Sequence, residues 1–228
     1  MDNVLITGAN RGIGLELTRQ FLAAGQRVFA CCRTPEAAVE LKLLNDEPLL
    51  SIHALDVTAD ASVAALAGLL GATHLDVLVN NAGIMGGDRQ SVDDMDYGAW
   101  RDAFEVNTLA PFRLVAALLP MLRQAERPRV VTLSSQMGSL NRKSTGAHAY
   151  RSSKAAVNKV MQVLALELEA DGIVVCPVHP GWVRTAMGGA TAELSAEESA
   201  AGLVRLIDSL TPAHSGRFWT WEGKEHPW

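Results

Sequence analysis

A doubly wound α/β fold, with a seven-stranded, mostly parallel sheet covered by helices on both faces, is what this sequence predicts. Three observations carry the prediction. Short apolar runs alternate with longer helix-periodic stretches along all 228 residues. Most of those runs are continuous rather than alternating, as in strands buried on both faces. Glycines cluster directly after the first run, where a strand gives way to a helix. Parallel neighbours need crossover connections, which the helical stretches supply. No Pro/Gly/Ser-rich linker, composition shift or internal repeat interrupts the pattern, so residues 1–228 read as a single domain.

The elements follow in order. NVLIT (3–7) is the first strand, and after TGANRGIG comes a helix whose Ile13, Leu17 and Phe21 recur at i, i+4 and i+8, with Gly25 placed to close it. RVFACC (27–32), LLSIHALD (49–56), LDVLVN (75–80) and RVVTLSS (129–135) are the next four strands. A long helix, AYRSSKAAVNKVMQVLALELEADG, is stopped by Gly172, and its Val157, Val160, Met161, Leu164 and Leu168 share one core-facing stripe. IVVCPVHP (173–180) and GRFWTW (216–221) complete the sheet. Residues 186–198, AMGGATAELSAEE, read as a lid hinged at Gly188 and Gly189. Trp219, Trp221 and Trp228 serve packing or an interface, and Val163 and Leu166, off the stripe, point to a homodimer or homotetramer.

VNTLAPF (106–112) interrupts a helix with two poor helix-interior residues. An α-helical N–H at position 111 would bond the carbonyl of Asn107, but Pro111 has no N–H. A buried carbonyl so deprived needs another donor, commonly water. If Asn107 faces Lys154, that water connects Lys154 with solvent.

Composition narrows the function. With 48% hydrophobic and 20% charged residues the chain can bury a core, and a net charge of -5 gives no reason to expect nucleic acid or membrane as partner. The longest apolar runs, VAALAGLLGA and LVAALLPML, fall short of the roughly 20 residues that span a bilayer. The N-terminal residues lack signal-peptide order, which points to the cytoplasm. Cys31, Cys32 and Cys176 sit in apolar runs without metal-ligand spacing, as reduced buried thiols, and no metal is expected.

Gly8, Gly12 and Gly14, between first strand and first helix, suit a backbone that must turn sharply and approach a pyrophosphate at a helix start. The position that usually grips a ribose 2'-hydroxyl with an acid is occupied here by Cys32 and Arg33, and Arg11 stands inside the glycine turn. Two guanidiniums suit a 2'-phosphate, which favours NADP(H) over NAD(H). Asp56 ends the third strand, where it can accept from an adenine amino group. NNAG (80–83) ends the fourth, where the cofactor lies. Tyr150 and Lys154, at i and i+4, put a polar pair on the interior side of the long helix, a break in pattern expected at functional sites. A neighbouring ammonium favours phenolate, and Lys154 together with the positive charge on an oxidised nicotinamide would bring Tyr150 into working range. Of Ser134 and Ser135, only one can face the site. His148 is placed to reach a substrate pocket, whereas His179, beside a strand-ending proline, reads as structural.

Together TGANRGIG, NNAG, Asn107, SSQMG, YRSSK and HPGWVRT resemble, in order and over essentially the whole chain, the short-chain dehydrogenase/reductase family. YRSSKAAVN, HPGWVRTAMGG and GKEHPW look like its C-factor and sniffer type of carbonyl reductase. The resemblance implies a Rossmann-like domain and a catalytic tetrad of Asn107, Ser135, Tyr150 and Lys154. Tyr150 would protonate the carbonyl oxygen as hydride arrives, Ser135 would hold that oxygen, and Lys154 would bind the nicotinamide ribose. The implied cofactor site comprises Gly8, Asn10, Arg11, Gly12, Ile13, Gly14, Arg33, Asp56, Val57, Asn80, Asn81, Ala82 and Gly83 with Tyr150 and Lys154. Pro180, Gly181, Val183 and Thr185 would meet the carboxamide. The expected function is NADP(H)-dependent interconversion of a small carbonyl and its alcohol. A dinucleotide-sensing protein that keeps the fold is the alternative.

Overall fold

The computed structural model describes residues 1–44 and 47–228. Seven strands, β1 (Asn3–Thr7), β2 (Arg27–Cys32), β3 (Leu50–Ala54), β4 (Val77–Asn80), β5 (Arg129–Leu133), β6 (Val174–His179) and β7 (Trp219–Thr220), form one sheet in the order β3-β2-β1-β4-β5-β6-β7. Every pairing is parallel, β6 with β7 included, so the sheet is wholly rather than mostly parallel. The order reverses beside β1, and ligands of open α/β sheets bind outside the strand C-termini at such a switch point.

The helices are α1 (Gly12–Ala23), α2 (Val39–Lys42), α3 (Asp60–Leu70), α4 (Tyr97–Phe104), α5 (Ala110–Leu122), α6 (His148–Glu167) and α7 (Ala196–Ser209). Alternate strand residues serve opposite layers. Val4, Ile6, Val77, Val79 and Val131 pack in one cluster with Leu17 and Phe21 of α1 and Leu203 of α7. Leu5, Leu78 and Val130 pack in the other with Leu66 of α3, Leu118 of α5 and Met161 of α6. Two apolar layers explain why the strand sequences are continuous runs. On α6 and its capping residue Leu168 the expected stripe is buried at Val157, Met161, Leu164 and Leu168, with Val160 at its edge.

Strand ends fell shorter than the apolar runs: β3 and β4 are trimmed, and β7 keeps two residues of GRFWTW. The remainder of that last run folds back, with Trp219 buried, Trp221 against Gly202 of α7, and Trp228 stacked on Phe218. Helices α4 and α5 are joined by a π-helical turn, Glu105–Leu109, into one rod from Tyr97 to Leu122. That rod is long and apolar enough to cross a bilayer, in contrast to the shorter runs read from sequence, yet half of its most apolar window is buried in the protein.

Candidate active site

The strand C-termini open into a cleft of about 500 Å³. Its walls include Gly8, Asn10, Arg11, Gly12 and Ile13 after β1, Arg33 after β2, and Asp56 and Val57 after β3. Asn81, Ala82 and Gly83 follow β4, Tyr150 and Lys154 come from α6, and Pro180 and Thr185 follow β6. Gly14, Asn80, Gly181, Val183, Asn107 and Ser135, also expected at the site, are not among the lining residues, and Ser134 rather than Ser135 borders the cleft.

The glycine turn is built by steric necessity. Gly8 and Gly12 have φ of 65° and 56°, a region that side chains rarely tolerate. Gly14 has ordinary helical geometry but no room: a Cβ there would lie 2.4 Å from the Gly8 carbonyl oxygen and 2.5 Å from Asn81 Nδ2. Asn81 acts as a strut, its Nδ2 donating to the carbonyls of Thr7 (2.8 Å) and Gly8 (3.0 Å). Thr7 returns the tie, its Oγ1 accepting from the amides of Asn81 and Ala82, both at 3.0 Å. Thr7 escaped the sequence reading because a threonine ending a strand carries no signal of its own. Asn80 likewise points into the protein, donating from Nδ2 to Thr132 Oγ1 at 3.1 Å.

Arg11 is the N-cap of α1 and offers no side-chain cap, so the first amides of the helix are open towards the cleft. Arg11 and Arg33 are exposed, and neither enters an ion pair with the described residues. Asp56 is held below the usual carboxylate range by hydrogen bonds from the Thr58 hydroxyl (2.7 Å) and amide (3.0 Å). Both bonds use Oδ1. An open helix start, a turn free of side chains and two unpaired guanidiniums fit a dinucleotide with an additional phosphate.

At the other end, Tyr150 and Lys154 lie one turn apart on α6, with Lys154 Nζ 5.7 Å from the Tyr150 ring centroid. Lys154 is almost completely buried and donates to the Leu133 carbonyl at 2.7 Å; burial pushes it down to about 8. Burial also pushes the Tyr150 phenol up, against an opposing effect of the Ser135 hydroxyl. Among the protein's own groups desolvation is the leading influence on the phenol, whereas the sequence argument joins the ammonium to the positive charge of an oxidised nicotinamide. The two serines separate as strand alternation demands. Ser134 Oγ turns inward to Asn158 Oδ1 (2.5 Å), while Ser135 Oγ caps a short 3-10 turn at Met137 N (3.1 Å) on the Tyr150 side.

The damaged helix resolves as the π turn, in which the Ala110 amide bonds the Glu105 carbonyl. Such turns recur at functional sites. Its side chains grip two neighbours. Asn107 Nδ2 donates to the Ile84 carbonyl (2.8 Å) and Ser153 Oγ (3.0 Å), and its Oδ1 accepts from Ile84 N (2.9 Å). Thr108 Oγ1 donates to the Ser153 carbonyl at 2.9 Å. Asn107 thus faces the Lys154 region: a Cβ on Gly83 would stand 3.2 Å from Asn107 Oδ1 and 3.6 Å from Lys154 Nζ.

Residues 186–198, the segment expected to form a lid, are held by several local contacts. Gly188 is a glycine because a Cβ would lie 2.0 Å from the Val183 carbonyl oxygen, and the loop is tied by Trp182 Nε1 to the Gly188 carbonyl and by Arg184 to the Ala192 and Glu193 carbonyls. Its last three residues begin α7 behind a Ser195 capping box. Val183 is buried in a bridge to Leu194, and Gly181 packs on Leu194 and Trp221. His148 is bonded through Nδ1 to the Gln90 carbonyl (2.9 Å), and His179 is buried, pushed down to about 4 chiefly by desolvation. Cleft-lining Ile84, Val106, Leu133, Arg184 and Met187 were missed in the sequence because they are ordinary residues until the fold gathers them.

The profile of the short chain dehydrogenase family matches residues 2–195. The chain is 45% identical over 155 residues, 68% of its length and 93% of the relative's, to the C-signal protein of Myxococcus xanthus. It is 37% identical, over the full length of both chains, to 1-hydroxy-2-glutathionyl-2-methyl-3-butene dehydrogenase of Rhodococcus sp. strain AD45. Its structure matches that of NADPH-bound carbonyl reductase from chicken fatty liver with a TM-score of 0.94 at 36% identity, covering 100% of this chain and 99% of that one. A family profile spanning most of the chain, and relatives of this identity over its full length, make one conclusion plain: the chain belongs to the short-chain dehydrogenase family.

Proposed function

We propose that the protein is an NADP(H)-dependent reductase of aldehydes or ketones, able to run the reverse alcohol oxidation, with Tyr150 as general acid and base. The observation that carries the reading is a buried phenol in the wall of a cleft whose far end presents Arg11 and Arg33. Gly8, Asn10, Arg11, Gly12, Ile13, Arg33, Asp56, Val57 and Asn81–Gly83 would hold the adenosine and phosphate part, with Gly14 and Asn80 supporting them from behind. Pro180, Gly181, Val183 and Thr185 would border the carboxamide. When bound, the nicotinamide supplies the hydride.

The remaining work falls to the side chains. The Tyr150 phenol gives its proton to the carbonyl oxygen, and the Ser135 hydroxyl donates a second hydrogen bond that holds this oxygen in place. Lys154, fixed by the Leu133 carbonyl, directs its other N–H groups towards the ribose and stabilises the phenolate left after transfer. The Asn107 carbonyl, without an α-helical donor because of Pro111, accepts a water that returns the proton from solvent by way of Lys154. Proton donation suits the reductive direction. The carbonyl reductase and the hydroxy-compound dehydrogenase above are named for the two directions of this chemistry.

Residues 1–228 act as one dinucleotide-binding domain, working in the cytoplasm on a small molecule. Exposed Tyr97, Leu109 and Phe112 on the helical rod, rather than Val163 and Leu166 alone, supply the apolar face for a homodimer or homotetramer. The likeness to C-signal favours a second reading, in which cofactor occupancy is itself the output. NADPH consumption, followed by its absorbance over a panel of aldehydes and ketones, separates the two. Turnover of at least one carbonyl is expected; tight NADPH binding with turnover of none would favour the second reading.

A further inference from the structure

Helix α6 carries both Tyr150 and Lys154, yet its beginning is poorly made from its own sequence. The N-cap residue is Ala147, which has no side chain to accept a hydrogen bond. It also sits at φ 50°, ψ 45°, the one non-glycine residue of positive φ among the described residues. An N-cap side chain ordinarily accepts from the second and third amides of the helix. In α6 these belong to Ala149 and to Tyr150 itself.

Both amides are met from elsewhere in the chain. Gln90 Oε1 accepts from Ala149 N at 2.8 Å and, more loosely, from Tyr150 N at 3.4 Å. The same side chain reaches the opposite way, its Nε2 donating to the carbonyls of Met85 (2.9 Å) and Gly87 (2.7 Å). Its own backbone carbonyl accepts from His148 Nδ1 at 2.9 Å. The loop so gripped lies tight on the helix, since a Cβ on Gly86 would stand 2.8 Å from Ala149 Cβ. It continues directly from Gly83 and Ile84 of the cleft wall, where Asn107 holds Ile84 by its amide and carbonyl. One glutamine therefore connects the helix end bearing the phenol to the wall across from it.

We infer that Gln90 is a positioning residue for Tyr150: it serves as the missing N-cap of α6 from a distant loop and fixes the phenol relative to the wall formed by Ile84–Gly87. The inference rests on the reading of Tyr150 as the proton donor. Misplacement of a reacting group by about 1 Å costs on the order of a hundredfold in rate, so loss of the cap is expected to lower kcat while leaving the distant phosphate contacts alone.

The test compares Gln90→Leu, which keeps the size and removes every side-chain hydrogen bond, with Gln90→Glu, which keeps an oxygen for the two helix amides. Tyr150→Phe is carried alongside. On a carbonyl turned over by the wild type, Gln90→Leu is expected to lose roughly ten- to a hundredfold in kcat with the NADPH dissociation constant unchanged. The primary isotope effect with deuterated NADPH should rise as hydride transfer becomes limiting, a response that general loss of folded enzyme does not produce. Gln90→Glu, which keeps an oxygen for the helix amides but loses both bonds to the Met85 and Gly87 carbonyls, should lose measurably less than Gln90→Leu. Should Gln90→Leu fail to fold, Gln90→Asn, too short to reach both amides and both carbonyls, takes its place with the same expected loss. Wild-type kcat in the Leu or Asn variant, or equal losses in the Glu and Leu variants, overturns the inference while an inactive Tyr150→Phe leaves the proton-donor reading intact. An active Tyr150→Phe overturns that reading, and with it the inference.

Discussion

Replacing Gly14 with alanine tests the glycine turn more sharply than removing any charged group would. Two opposing effects can be weighed from the structure. In a helix, alanine is favoured over glycine by about 0.8–1 kcal/mol. Against this, the new methyl would lie 2.4 Å from the Gly8 carbonyl oxygen and 2.5 Å from Asn81 Nδ2. The first neighbour is backbone in a turn of positive φ, and the second is pinned by its bonds to the Thr7 and Gly8 carbonyls. Relief therefore requires either overpacking, at about 1–3 kcal/mol, or release of the Asn81 amide, at about 1 kcal/mol for each hydrogen bond. Set against the helix preference for alanine, the clash leaves a net destabilisation of up to about 2 kcal/mol. For a chain of this size the melting temperature falls by roughly 2–4 °C for each kcal/mol. Gly68 is the internal control: it is exposed on α3, and a Cβ there meets nothing within 4 Å. Gly68→Ala should raise the melting temperature by a few degrees and leave NADPH binding unchanged, whereas Gly14→Ala should lower it and weaken NADPH binding at least tenfold. Thermal unfolding and calorimetric titration read both quantities. If the two variants behave alike, the account of the turn is wrong.

Three further outcomes are expected. Arg33→Ala should weaken NADPH binding roughly tenfold, the equivalent of about 1.4 kcal/mol and the low end for a charge-assisted bond at an exposed site; an unchanged ratio of NADPH to NADH affinity would remove Arg33 from phosphate recognition. Burial lowers Lys154 from 10.5 to about 8, so between those values the unfolded chain binds more protons than the folded one, and stability of the cofactor-free protein rises with pH through that window. The full cost of the buried charge is present below pH 8, and Lys154→Met should gain on the order of 3 kcal/mol relative to wild type at pH 7 compared with pH 10.5; parallel pH profiles in urea unfolding would contradict this. Phe112→Glu should shift the sedimentation coefficient from oligomer to monomer, and a wild type that already sediments as a monomer would rule out self-association through the rod.

The parallel sheet was legible because burial on both faces writes itself into continuous apolar runs, and the glycine turn because few residues tolerate its geometry. Tyr150 and Lys154 were legible for a related reason, a polar pair where the helical stripe calls for apolar side chains. Strand ends were less so: apolar residues at 55, 75 and 218 are buried by packing beyond the ladder, not by pairing within it. Pro111 announced a disturbed helix, but one missing N–H fits a kink as well as a π turn, and the choice depends on how Asn107 and Thr108 meet Ser153 across the fold. Gly188 looked like a hinge because sequence shows that glycine is present without showing what stands beside it. Gln90 gave no sign at all, since its partners on α6 lie 58 to 60 residues away. The phenol's proton affinity depended likewise on burial that spacing along a helix does not report.

Single-turnover hydride transfer in Tyr150→Phe, followed by stopped flow at saturating NADPH with a carbonyl that the wild type reduces, addresses the central claim directly. Loss of the proton donor should slow the step by about 10²–10⁴-fold with the NADPH dissociation constant preserved. A rate equal to that of the wild type would mean that the proton reaches the carbonyl oxygen from another group.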